Sequence, residues 1–134
     1  MRKGVMFSGD RPKVSVLCPT YNHVGYIEQC IEGIMRQEVD FSLEIIVGDD
    51  GSTDGTSEVL LKLKQKYPCL VLLGSDKNKG VYRNVINILA HASGHYLALC
   101  EGDDYWTSPT KLQTQIDLLA SFPDIAGTYH RVCK

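Results

Sequence analysis

Carboxylates cluster in two short segments of the sequence, and binding a hard cation is the chemistry that such clusters can perform. Three acids stand within the four residues Glu101–Asp104, and Asp49 and Asp50 stand side by side in an earlier segment. Magnesium and manganese prefer carboxylate oxygens and often bridge them to a substrate diphosphate. Clustered acids repel one another unless a cation offsets their charge. A solvated acidic loop that caps a helix is the alternative, and Arg83 could hold a ligand anion or pair with these acids.

Several familiar ligand motifs are absent from the sequence. Residues 50–55 (DGSTDG) begin like a calcium-binding EF-hand loop, but Leu61 stands at the twelfth position, where that loop needs a bidentate Glu. We therefore expect a tight turn in which Asp54 caps the next helix. No GxGxxG follows the first apolar run and no GxxxxGK[ST] occurs. These absences disfavour a dinucleotide-binding dehydrogenase and a P-loop enzyme.

Short apolar runs alternate with amphipathic stretches, and this alternation predicts the elements that position the acids. The runs are rich in β-branched residues, whereas the stretches repeat apolar residues at helical spacing. Strands are predicted at residues 14–18, 43–47, 70–73 and 96–100, with a fifth at 125–129, and helices at 27–35, 59–67, 81–92 and 112–119. The order βαβαβαβαβ predicts an open, mainly parallel α/β sheet with helices on both faces. Ligands bind such sheets beyond the carboxyl ends of the strands, where the polar segments of this sequence lie.

Composition excludes further classes of protein. The chain has 134 residues and a net charge of −2, so it fits one domain and offers no basic surplus for nucleic acid. Its five cysteines include no CxxC pair, which predicts reduced, buried packing residues and no zinc site. The four histidines show no ligand spacing and are predicted to be isolated residues, and Trp106 is predicted to be a packing anchor. No apolar stretch approaches the length that spans a bilayer, so we expect a soluble protein.

Four segments together resemble the family 2 glycosyltransferases of the GT-A fold. Residues 14–22 (VSVLCPTYN) resemble the opening strand of that family, and residues 44–54 (EIIVGDDGSTD) resemble its "EIIVVDDGSTD" segment. Residues 78–84 (NKGVYRN) resemble the "N-x-G…RN" start of a helix, and residues 101–106 (EGDDYW) resemble the metal-binding acidic motif, a variant of Asp-x-Asp. The four motifs stand in the family's order, and the sequence is identified as a member on that ground.

The resemblance implies a nucleotide-binding and metal-binding site. Pro19, Thr20, Tyr21 and Asn22 would line the nucleoside pocket, with Tyr21 packing on the base. Asp50 would accept a hydrogen bond from a uracil-type base, and Gly80 and Arg83 would lie at the base or a phosphate. Asp103 would lie near the ribose and sugar, and Asp104 with Glu101 would hold a divalent cation, Mn²⁺ or Mg²⁺. Glu101 stands where Asp is usual, and Pro19 stands where a small hydroxyl residue is frequent.

The same resemblance implies an inverting transfer of sugar from a nucleoside-diphosphate sugar, UDP-sugar in the first place, to a carbohydrate or lipid-linked acceptor such as a surface polysaccharide. The alternatives are a donor-binding module without transfer activity and a nucleotidyltransferase of related fold. We expect residues 1–12 to form a flexible tail and residues 13–134 to form the donor-binding domain, with the acceptor part absent. The catalytic base is then expected beyond Lys134, and the open sheet edge predicts a homodimer. We expect a cytoplasmic protein, or one attached peripherally to the inner face of the membrane.

Overall fold

The computed structural model describes residues 14–132, in which four strands alternate with four helices. In chain order the elements are β1 (Val14–Thr20), α1 (Ile27–Met35), β2 (Leu43–Asp49), α2 (Thr56–Lys66), β3 (Leu70–Gly74), α3 (Val81–His91), β4 (Tyr96–Leu99) and α4 (Lys111–Ser121). The predicted tail at residues 1–12 lies outside the described residues. Of the four helices within residues 14–132, none has the length and hydropathy needed to cross a membrane.

The four strands form one parallel sheet in the order β3-β2-β1-β4. Strand β1 lies between two neighbours, so that Val14 stands opposite Leu43 of β2 and Tyr96 of β4. All seven residues of β1 are buried, as expected for a central strand covered on both faces. Because the strands are parallel, their carboxyl ends share one edge of the sheet, and the segments that follow β1, β2 and β4 begin there.

Apolar side chains fill both faces of the sheet. The larger core joins β1 and β2 to α1, α2 and α4, and α1 contributes Ile27, Cys30, Ile31 and Ile34, the stripe that the helical spacing predicts. The smaller core lies under α3 and consists of the buried residues Leu17, Ile46 and Ile88. The prediction of a parallel sheet with helices on both faces is confirmed.

The predicted fifth strand does not form. Residues 125–129 have no regular secondary structure, and Ile125 and Tyr129 are exposed. The run does not pair with β4, which stays the outer strand on that side of the sheet within residues 14–132, and a run without such pairing has no ladder to satisfy its backbone groups. The apolar run at 125–129 is also short and contains Gly127, which weakens strand propensity.

The cysteines behave mostly as the composition predicts. Cys18, Cys30 and Cys100 are free thiols buried in the core, with Sγ–Sγ distances of 3.8 Å from Cys18 to Cys30 and 3.7 Å from Cys30 to Cys100. Cys69 is also a free thiol but is exposed, so the expectation of burial is wrong there. Cys133 lies outside the described residues.

Candidate functional site

Backbone hydrogen bonds continue past the ends of the strands and bring three polar segments to one edge of the sheet. The Gly102 N–H donates to the Pro19 carbonyl at 3.0 Å, which attaches the acidic segment 101–104 to the end of β1. The Asp50 N–H donates to the Thr20 carbonyl at 3.0 Å, which attaches the end of β2 to the other side of β1. The sequence-predicted residues Pro19, Thr20, Asp50 and the acidic segment are therefore neighbours at the carboxyl edge.

Asp49 shapes the loop after β2. Its Oδ1 accepts hydrogen bonds from the Ser52 N–H at 3.0 Å and the Ser52 hydroxyl at 2.5 Å, and its Oδ2 accepts one from the Ser57 hydroxyl. Asp49 is 8% exposed. These bonds account for the acidic residue at position 49, because its carboxylate stabilises the loop through local hydrogen bonds and needs no ligand for that role.

Asp50 holds the loop that precedes α3. Its side chain is 3% exposed, and its two carboxylate oxygens accept the backbone N–H groups of Lys79 at 2.9 Å and Gly80 at 2.8 Å. Both oxygens of Asp50 therefore have backbone partners, so this carboxylate contributes to the fold of the loop, and its role toward a base stays a prediction. The same bonds fix Gly80, and Arg83 follows on the first turn of α3 with its side chain exposed.

The loop after β1 is joined to the loop after β2 by Asn22 and Asp54. Asn22 has a positive φ of 55°, and its side-chain oxygen accepts the Thr53 N–H at 2.8 Å. Asp54 accepts the N–H groups of Val24 and of Thr56, the first residue of α2, each at 3.0 Å. The prediction that Asp54 caps α2 is wrong as to the position, because Gly55 occupies the N-cap, but the Asp54 carboxylate still binds the N–H of the first residue of α2. The hydroxyl of Thr56 is the main reason that the pKa of Asp54 lies below its ordinary value.

Tyr21 is the aromatic side chain of this loop, and it is 40% exposed. It stands between Thr20, which is 2% exposed, and Asn22, which is exposed, at the point where β1 ends. Its ring offers a flat, exposed apolar surface, and the residue before it, Thr20, accepts the Asp50 N–H through its carbonyl. The structure therefore leaves Tyr21 available for stacking, and its role toward a base stays a prediction.

The acidic segment presents three exposed carboxylates, those of Glu101, Asp103 and Asp104. Within residues 14–132, neither Arg83 nor any other Lys or Arg forms an ion pair with them. No group of three or more His, Cys, Asp or Glu side chains in that range is arranged to hold a metal ion by itself. The exposed carboxylates of Glu101 and Asp104 nevertheless suit Mg²⁺ or Mn²⁺. These ions use one or two protein carboxylates and complete their shell with phosphate and water.

His23 is the residue of this edge that sequence reasoning missed. Its Nδ1 lies 3.0 Å from the Thr20 hydroxyl, and its Nε2 lies 3.8 Å from Oδ2 of Asp103. The sequence places His23 directly after the strand-end segment 19–22, and that position was the available signal. The spacing between histidines does not show a partner such as Asp103 in another loop, so that spacing alone could not identify His23.

Trp106 is a packing anchor, as predicted. It is 8% exposed and belongs to the larger core, and the Lys111 Nζ lies 4.1 Å from the centre of its ring. Burial lowers the pKa of Lys111. Beside Trp106, a groove of about 740 Å³ runs between α1 and residues 105–109, with Glu28, Gln29 and Tyr105 among its lining residues.

Known proteins are similar to this chain over most of its length. A family model described as "Glycosyl transferase family 2" matches residues 15–133. An uncharacterized protein of Mycobacterium tuberculosis is 38% identical over 120 residues, which are 89% of this chain and 35% of that protein. The chondroitin synthase of Pasteurella multocida is 35% identical over 94 residues, which are 70% of this chain and 10% of that enzyme. The chain therefore spans about a third or less of the length of these relatives.

Two solved structures share the fold. The mannosyltransferase PcManGT from Pyrobaculum calidifontis, in complex with GDP-Man and Mn²⁺, superposes with a TM-score of 0.74 at 30% identity, covering 82% of this chain and 33% of that one. TarS from S. aureus, residues 1–349 in complex with UDP-GlcNAc, superposes with a TM-score of 0.71 at 28% identity, covering 81% of this chain and 31% of that one.

Proposed function

The chain belongs to glycosyl transferase family 2, and from this premise we propose that it binds a nucleoside-diphosphate sugar, a UDP-sugar in the first place, for transfer to an acceptor hydroxyl. The observation on which the proposal rests is the convergence of the segments after β1, β2 and β4 at one edge of the sheet. Gly102 bonds to Pro19 and Asp50 bonds to Thr20 at that edge. An open parallel sheet binds its ligand at such an edge.

The base and ribose would lie between the β1 and β2 loops. Tyr21 supplies an exposed aromatic surface on which a base can stack. Asp50 would accept a hydrogen bond from the base through a remaining lone pair, since each of its oxygens has one recorded N–H partner. This acceptor suits a base that presents an N–H group, as uracil and guanine both do. Both nucleotide types occur among the similar structures, which contain GDP-Man and UDP-GlcNAc.

The diphosphate would lie between the acidic segment and α3. Asp104 and Glu101 would hold a divalent cation there, and Arg83 stands exposed on the first turn of α3, within the same strand-end region. A bound Mn²⁺ or Mg²⁺ would offset the negative charge that develops on the departing nucleoside diphosphate. Support for a cation comes from the chemistry of the exposed carboxylates and from the Mn²⁺ in PcManGT.

The acceptor that we propose is a carbohydrate chain, and the transfer inverts the configuration at the anomeric carbon. One similar protein is a chondroitin synthase, which supports a polysaccharide product. The groove between α1 and residues 105–109 begins beside Tyr105, the residue after Asp104, and combines an aromatic ring with carboxylate and amide side chains. Such a mixture suits the hydroxyl groups and apolar faces of a sugar.

The test is a calorimetric titration of the chain with UDP and with GDP, in Mn²⁺ and in EDTA. We expect UDP to bind only with the metal. In Asp104→Asn we expect an affinity roughly 10- to 100-fold lower, which corresponds to the loss of one charge-assisted contact. Asp124→Asn, a change of an exposed acid outside the acidic segment, is the matched control and should bind as the wild type does. Equal UDP affinity in EDTA, or in Asp104→Asn, would contradict the proposed metal site.

A further inference from the structure

The backbone of His23 is fixed by the starts of two helices. Its N–H donates to the Thr56 hydroxyl at the start of α2 at 2.9 Å, and its carbonyl accepts the N–H groups of Tyr26 and Ile27 at the start of α1, each at 2.9 Å. Three bonds to two elements leave this residue little freedom. The imidazole therefore extends from a rigid point, which is the requirement for a side chain that is to orient another.

The ring of His23 is oriented by Thr20. Thr20 is 2% exposed, and among residues 14–132 its hydroxyl has no hydrogen-bond partner other than His23 Nδ1, at 3.0 Å. A buried hydroxyl needs an acceptor for its proton, so we assign the Thr20 O–H as donor and His23 Nδ1 as acceptor. The neutral imidazole then has its own proton on Nε2. Nε2 faces Oδ2 of Asp103 at 3.8 Å, a distance longer than a hydrogen bond, at which the N–H dipole attracts the carboxylate electrostatically.

The ring also packs against the acidic segment through Gly102. A Cβ added at Gly102 would lie 2.4 Å from the Thr20 hydroxyl oxygen and 2.8 Å from His23 Nδ1. Only a residue without a side chain allows this approach, so the acidic segment rests directly on the Thr20–His23 pair. The position of Asp103, the next residue, depends on that contact.

We propose that His23 is a positioning residue, whose Nε2–H orients the carboxylate of Asp103 toward the donor. The inference rests on the proposed function, in which Asp103 lies beside the ribose and sugar. If the His23 side chain had only a packing role, its contacts with Thr20 and Gly102 would be sufficient. The placement of Nε2 toward a carboxylate in a different loop is what a purely structural role leaves unexplained.

Two substitutions separate orientation from packing. In His23→Asn, the short side chain places its oxygen near the position of Nδ1, so it can accept from Thr20 but cannot reach Asp103. In His23→Gln, the longer side chain can place its amide N–H near the position of Nε2 and donate to Asp103. His95→Gln, a change of an exposed histidine on another loop, is the matched control.

The first measurement needs no nucleotide. Long-range ¹H–¹⁵N NMR spectra of the neutral imidazoles should show His23 with its proton on Nε2. The Asp103→Asn variant should shift that Nε2 signal and leave the signals of His95 unchanged. A His23 ring with its proton on Nδ1, or a Nε2 signal that Asp103→Asn does not move, would overturn the inference.

The second measurement is UDP affinity in Mn²⁺ by calorimetry, with thermal melting of each variant beside it. We expect His23→Asn to bind about 10-fold more weakly, the lower end of the loss seen when an orienting partner is removed, and His23→Gln to bind within about 3-fold of the wild type. Equal loss in the two variants would refute orientation through Nε2. The wild type could bind neither UDP nor GDP while the NMR spectra still show the proton on Nε2 and the shift in Asp103→Asn. In that case the proposed function fails and the orientation of Asp103 by His23 stands.

Discussion

Replacing Asp50 by Asn tests whether the carboxylate at the end of β2 builds the site as well as serving it. In the wild type, its two oxygens accept the N–H groups of Lys79 and Gly80 at 2.9 and 2.8 Å, in a place where the side chain is 3% exposed. An Asn side chain keeps one acceptor oxygen and brings an NH₂ group against the other N–H. One donor must then lose its partner.

The geometry indicates which of the two bonds is lost. The Gly80 N–H also lies 2.9 Å from the side-chain oxygen of Asn78, so it has a second acceptor, whereas Asp50 is the acceptor recorded for the Lys79 N–H. In Asp50→Asn we expect the introduced amide to keep its oxygen on Lys79 and to turn its NH₂ group toward Gly80. The bond to Lys79 loses its charge, and a buried NH₂ group stays partly unpaired. Together these effects cost about 2–3 kcal/mol of unfolding free energy.

Urea unfolding of Asp50→Asn, with UDP affinity measured on the same sample, checks this value. Asp76→Asn, a change of an exposed acid in the adjacent loop, should stay within about 0.5 kcal/mol of the wild type. Asn78→Ala should cost more in the Asp50→Asn background than alone, because it removes the second acceptor of Gly80. An Asp50→Asn protein as stable as the wild type would refute the reasoning, and Asp50 would then be a residue for the ligand alone.

Two further expectations concern stability away from the ligand. In Gly48→Ala, the new Cβ would lie 2.4 Å from the Asn84 side-chain oxygen and 2.6 Å from Ile88, so overpacking under α3 should cost about 1–3 kcal/mol; Gly74→Ala, where a Cβ meets nothing within 4 Å, is the control in urea unfolding. Burial disfavours the charge of Glu44, but hydrogen bonds from the Ser15 hydroxyl and from Ser93 lower its pKa overall. A pKa below that of the unfolded chain contributes stability above the unfolded value, and this stability is lost as the pH falls through the folded value. The stability difference between wild type and Glu44→Gln should therefore shrink on acidification from pH 7, whereas for the exposed Glu38→Gln it should stay near zero, and a constant difference for Glu44→Gln would contradict the assignment.

The architecture could be predicted from the sequence because burial leaves a strong periodic signal. Strand β1 is buried along its whole length, and its continuous apolar run predicts a buried strand. The spacing of Ile27, Cys30, Ile31 and Ile34 identifies the face that α1 turns to the sheet. The same reasoning gave a wrong strand at 125–129, because an apolar composition does not show whether a segment pairs with the strand at the edge of the sheet.

The details of the site could not be predicted in the same way, because they depend on contacts between distant residues. Asp49 and Asp50 are identical and adjacent, yet Asp49 bonds to Ser52 and Ser57, within eight residues of it, and Asp50 bonds to Lys79 and Gly80, 29 and 30 residues away. His23 is isolated in the sequence and meets Asp103 only because β1 and β4 are neighbours. The residue type indicates which interactions a side chain can make, whereas the order of the strands decides which residues lie close enough to make them.

The strand order also constrains when the edge can be completed during folding. Strand β1 is the first of the four strands within residues 14–132 and lies inside the sheet, and its second neighbour, β4, is synthesised only after α3. Until residues 96–99 are available, the side of β1 that will face β4 has no partner within the described chain. Parallel pairing over such a separation is slow because loop-closure entropy must be overcome before contacts form. Since Glu101–Asp104 follow β4 directly, the acidic segment cannot meet the β1 loop before this pairing. A nascent chain therefore has the half of the edge formed by the β1 and β2 loops before it has the half with the three carboxylates.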